Sequence, residues 1–132
     1  MKRIFSLVLL AGLSLAIATG CRTSVPVYNV DEATVVSSTG KQLTANEVKK
    51  AILTAGAVLG WSMKETKPGH IIGTLNVRKH MAKVDIKYNT KTYSITYSDS
   101  HNLNYDGSNI HGNYNGWIQR LQQNIQAQLS MQ

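Results

Sequence analysis

The chain has 132 residues, 42% of them hydrophobic and 16% charged, an ordinary globular composition that suffices for one small domain and not for two. Fourteen basic residues against seven acidic ones give a formal charge of +7, which excludes an acidic disordered tail and leaves anionic partners open. A single cysteine excludes an intrachain disulfide framework. No phosphate-loop, dinucleotide, zinc-finger or nucleophile-elbow pattern occurs, so no enzyme class follows from motif alone.

Lys2 and Arg3 precede a mostly apolar stretch over residues 4–17, shorter than the roughly 20 residues a spanning helix needs, and this is the pattern of an export signal. It ends in Ala18, Thr19, Gly20 and Cys21, a string that resembles the bacterial lipobox, with Ala18 where leucine is usual. The resemblance implies cleavage before Cys21, a diacylglycerol on its thiol and an acyl chain on the new amino group, with no other cofactor. Arg22 stands where inner-membrane retention uses aspartate, so by the same resemblance the expected location is the periplasmic face of the outer membrane. Two or more chains hold a protein stably where one holds it marginally. The basic excess survives loss of Lys2 and Arg3 with the signal. The expected organisation is a signal peptide over 1–20, a lipidated cysteine and tether over 21–43, and a single α+β domain over 44–132.

The stretch 22–43 is rich in Ser, Thr and Val and contains Pro26. Val27, Tyr28, Val30, Val35 and Val36 leave open whether part of it docks as an extended segment. Thr44, Ala45, Asn46 and Glu47 form a capping box that predicts a helix start. Val48, Ala51, Ile52, Ala55 and Leu59 then share one face, Gly60 offers a stop, and the small Gly56 suits close packing on a neighbour.

After Gly60 the period changes to two. A first strand is expected over 61–65, followed by a turn at Pro68 and Gly69. Ile71, Gly73, Leu75 and Val77 then alternate with polar positions, as do Ala82, Val84, Ile86 and Tyr88, and Tyr93, Ile95 and Tyr97. Asn89 and Thr90 support a hairpin, whereas the join near Lys79 has no Gly or Pro and allows one bulged continuous strand. Residues 98–112 read as a polar loop. A second helix from about Asn113 carries Tyr114, Trp117, Ile118, Leu121, Ile125 and Leu129 on one face. The expected fold is a two-layer α+β sandwich: helix, antiparallel meander of three to four strands, C-terminal helix, with both helices on one sheet face.

Three groups carry the functional expectations. Arg78, Lys83 and Lys87, opposed by Asp85, would make the outward sheet face basic and suited to an envelope protein or another anionic envelope component. The compartment disfavours nucleic acid. His80, Asp99, His101, Asp106 and His111 form a second, weaker set in and beside the loop from Ser98 to His111, and a small metal-dependent or hydrolytic envelope enzyme would use it. None of its spacings is that of a helical ligand pair, so no metal site is assigned. Trp61 and Trp117 are expected in the core. With the string over 110–118, Ile-His-Gly-Asn-Tyr-Asn-Gly-Trp-Ile, the chain resembles small proteobacterial envelope lipoproteins. Lipoproteins of the BamE type also join two helices to a sheet, but with both helices ahead of the strands. The leading expectation is a non-enzymatic binding or scaffolding module on the outer membrane.

Overall fold

A computed structural model describes residues 24–132; the export segment and Cys21 lie outside the described residues. The capping box forms as expected, with Thr44 Oγ1 accepting from the Glu47 amide at 3.2 Å and the Thr44 amide donating to Glu47 Oε1 at 3.0 Å. It opens helix α1 (Ala45–Val58), whose buried side is Val48, Ala51, Ile52, Ala55 and Gly56. A Cβ on Gly56 would overlap the Met63 side chain, so this glycine sets how closely the helix meets the sheet. Gly60, at φ +87°, turns the chain away.

Four strands follow as a meander: β3 (Ser62–Lys67), β4 (His70–Val77), β5 (His80–Tyr88) and β6 (Thr92–His101). Pro68 and Gly69 join the first pair, with Gly69 at φ +85° as a type II turn demands. At the second join Val77 and His80 are register partners, so Arg78 and Lys79 alone make the turn and the strand does not run on as a bulge. At the third, Asn89 Oδ1 accepts from the amides of Lys91 and Thr92, both at 2.8 Å, replacing the missing ladder.

The segment left open between tether and docked strand is docked. Strand β2 (Val30–Thr34) pairs antiparallel with β6, giving the sheet order β2-β6-β5-β4-β3. Strand β1 (Ser24–Pro26) pairs with β7 (Asn109–His111) in a separate two-stranded sheet. Side chains of the C-terminal helix α2 (Gly112–Ser130) hold the link between them. Asn115 accepts from the Tyr28 amide at 2.9 Å and donates to Pro26 O at 2.8 Å, and Tyr28 Oη donates to Gln122 at 2.6 Å. The reason is backbone satisfaction: without β2 the inner edge of β6 would present unpaired amides and carbonyls. The main sheet therefore has five strands where three to four were expected, and the folded chain begins by Ser24 rather than at residue 44.

The core is one cluster in which Ile71, Leu75, Ala82, Val84, Ile86, Tyr93 and Ile95 meet α1 and the Tyr114, Ile118, Leu121, Ile125 and Leu129 stripe of α2. Both helices thus cover the same sheet face and leave the other open. Burying each such Ile or Leu side chain contributes about 1.5–3 kcal/mol.

Strand β6 runs further than the sequence pattern suggests. Val84 is partnered by Tyr97 and Lys83 by Asp99, so Ser98 is an extra residue, a β-bulge. Beyond it the alternation is reset: Ser100 turns toward the helices, where its Oγ lies 2.7 Å from Tyr97 Oη, and Asp99 and His101 turn to the open face. The polar loop expected over 98–112 is therefore strand as far as His101 and becomes strand again at Asn109.

Candidate functional site

Register places side chains on the open face in rows across the strands. One row runs Lys67, His70, Lys87, Ser94; the next has Lys64, Ile72, Asp85, Thr96; a third has Ser62, Thr74, Lys83, Asp99. Lys83 and Lys87 stand here as the sequence indicated. Lys64 and Lys67, from edge strand β3, extend the field and were not singled out in the sequence. Lys64 was legible from the alternation with Met63, while Lys67 lies past the expected strand end. With strands ~4.8 Å apart and ~3.4 Å per residue, the four ammonium groups spring from a field of roughly 10 by 14 Å. The central acid is already engaged, since Asp85 Oδ1 lies 2.7 Å from His70 Nε2. Asp99 is the register partner of Lys83, and on edge strand β2 Asp31 and Glu32 bulge out opposite Ser94, with Glu32 lining one hollow with Lys87.

Arg78 does not belong to this field. It sits in the β4–β5 turn at φ +56°, exposed, at the end of the sheet, so the expectation that it lines the strand face is corrected. The cause is the two-residue turn, which takes Arg78 out of the alternation; nothing in the residue types signals it, because an L-arginine seldom adopts positive φ.

The second set of expected residues is dispersed. His101 and Asp99 lie on the open face, and Asp99 Oδ1 accepts from the Ser100 amide at 2.8 Å. Asp106 closes a turn by accepting from the amides of Asn109 at 2.7 Å and Ser108 at 2.9 Å, and these bonds hold its carboxyl below its ordinary value. Only His80 and His111 come together, with ring centroids 6.4 Å apart. Each has a structural tie: His80 Nδ1 lies 2.7 Å from Asn102 O, and His111 Nδ1 accepts from the Asn113 amide at 3.2 Å, capping α2. Among the described residues no group of three or more His, Cys, Asp or Glu could hold a metal ion.

The aromatics are mostly internal. Trp61 is 4% exposed, and Trp117 is half-buried against the core. With Leu59, Leu75 and Arg120 these two line a cleft of about 70 Å³. Tyr97 stacks on Tyr105 at 4.0 Å and meets Tyr114 edge-on at 5.6 Å. Burial raises the pKa of both Tyr97 and Tyr114, which keeps their hydroxyls neutral and unsuited to act as bases.

No helix among the described residues is long and apolar enough to cross a membrane. Compared with protein families, with curated proteins and with solved structures, the chain matches none.

Proposed function

We propose that this chain is an envelope lipoprotein, held by lipid on Cys21 at the periplasmic face of the outer membrane, whose domain binds or scaffolds an anionic envelope component without catalysing a reaction. The observation that carries the binding reading is the β3–β5 part of the open sheet face, where Lys64, Lys67, Lys83 and Lys87 stand against Asp85 alone, with Asp99 on β6 and Asp31 and Glu32 on edge strand β2. A face of this kind attracts acidic groups over a Debye length of about 8 to 10 Å and sets association rate and salt sensitivity more than affinity. The anchor rests on the lipobox string and its single cysteine. In this reading His80, His111 and Asp106 tie down turns and cap α2, and Asp99 and His101 belong to the open face.

The test is recovery of crosslinked envelope partners from intact cells. Reversing Lys83 and Lys87 to Glu should cut recovery and flatten its dependence on salt, in a protein that stays folded. Replacing His80 and His111 by Gln, both off the open face, should leave recovery intact. The opposite pattern, with charge reversal silent and the histidine changes disabling, would discard this reading in favour of chemistry around residues 98–111. Substituting Cys21→Ser should abolish uptake of labelled fatty acid; persisting label would discard the anchor.

A further inference from the structure

Three peptide links separate Cys21 from Ser24, the first described residue and the start of β1. Three residues reach at most about 11 Å. The headgroup layer of one leaflet is itself about 5 to 8 Å deep. A domain attached through so short a link touches the membrane surface, and it does so with the end that carries Ser24.

That end has a defined composition. Ser24 is the register partner of His111, whose ring stands 6.4 Å from that of His80. His80 directly follows the β4–β5 turn, and Asn102 Nδ2 donates to Lys79 O at 2.6 Å, tying the turn to the start of the loop after β6. Arg78 and Lys79 are both exposed there and take part in none of the ion pairs among the described residues. The turns at Pro68 and at residues 89–91 lie at the opposite end of the same strands. Along the eight residues of β4 the two ends are about 27 Å apart.

We infer that the end of the domain formed by Ser24, His111 and the Arg78-Lys79 turn faces the membrane that holds the anchor, with the two cations against the phosphates of its phospholipid headgroups. The inference rests on the lipid-anchor reading given above. It leaves the open sheet face directed sideways, free for a partner. It also gives Arg78 a role that the strand face does not. A Lys or Arg close to an anionic surface strengthens association about fivefold, so the turn adds orientation to a hold that the lipid already supplies.

The test uses the full lipidated chain in vesicles of phosphatidylethanolamine and phosphatidylglycerol containing a headgroup nitroxide lipid. A fluorophore is placed at Asn76→Cys, near the turn, or at Lys91→Cys, at the far end, Cys21 being blocked by its lipid. Quenching should be several-fold stronger at position 76. Combining Arg78→Gly with Lys79→Glu should reduce it, with a smaller change in phosphatidylcholine vesicles; glycine accepts the positive φ at position 78, so the turn is kept. Equal quenching at both positions, or stronger quenching at 91, in protein whose mass shows lipid on Cys21, overturns the orientation alone. Quenching at 76 that ignores the charge changes overturns the phosphate contact. A mass without lipid overturns the anchor reading, and the orientation with it.

Discussion

The two faces of the five-stranded sheet are built from the same strands and differ in everything that parity controls. On the helix-covered face Ile71, Ala82, Val84, Ile86 and Ile95 are 0% exposed, while residues one position along each strand include Lys64, Lys83, Asp85, Lys87 and Thr96. The buried core belongs to one set and the exposed charge to the other, and a single inserted residue, Ser98, decides which set the last part of β6 joins. The lesson is that alternation assigns faces only as far as the next bulge.

Substitutions can break or sharpen this division. The largest effect is expected at the covered face: Ile95→Ala should cost about 2 to 5 kcal/mol, read as a lower urea midpoint. Gly73→Ala, on the same face, adds a methyl 3.2 Å from Met63 Sδ and Val84 Cγ2 and 3.3 Å from Trp61. That overpacking should cost about 1 to 3 kcal/mol, and an unchanged melting temperature would show that the layers part more easily than their packing implies. Tyr114→Phe should work in the other direction, because Tyr114 Oη is buried with no hydrogen-bond partner among the described residues. Its removal should stabilise by about 1 kcal/mol.

Acid should act on the cap of α1 and on the turn closed by Asp106. The carboxyl of Glu47 is held below its ordinary value by the Thr44 amide and then by Lys41, and that of Asp106 by the Asn109 and Ser108 amides. With the folded values depressed, their contribution is complete above the ordinary carboxylate range and is lost as pH falls through the native values. Melting temperatures followed into acid should therefore fall less steeply for Glu47→Gln and Asp106→Asn than for the parent chain. Thr96→Ala on the open face should move stability least, within about 0.5 kcal/mol; a loss matching that of Ile95→Ala would refute the face assignment.

What was legible in the sequence was whatever carries a period or a cap. Thr44 and Glu47 announce α1, the alternation from Ile71 to Tyr97 fixes which side chains the helices cover, and the Tyr114 to Leu129 stripe fixes α2. Strands β1 and β7 have three residues each and β2 has five with a bulge, too few for a period to register. Ser98 to His101 reads as loop because an open face tolerates the same polar residues that turns prefer. Of the candidate site, Lys83 and Lys87 followed from parity. Arg78 did not, because its turn uses neither Gly nor Pro, and the separation of Asp99, His101 and Asp106 depends on the bulge and on a turn that only the assembled backbone defines.

The pairing of the first strands with the last elements has a consequence in time. Tyr28 and Asn115 meet across 87 residues of chain, a closure that costs about 4 kcal/mol in the length-dependent part of its entropy. The hairpins of β3 to β6 need no such closure and can form early, so the order of assembly runs from the middle outward. A chain emerging amino end first releases Val30 and Tyr28 long before their partners exist. Until β6 and then α2 follow, β2 stays open to any other strand that reaches it.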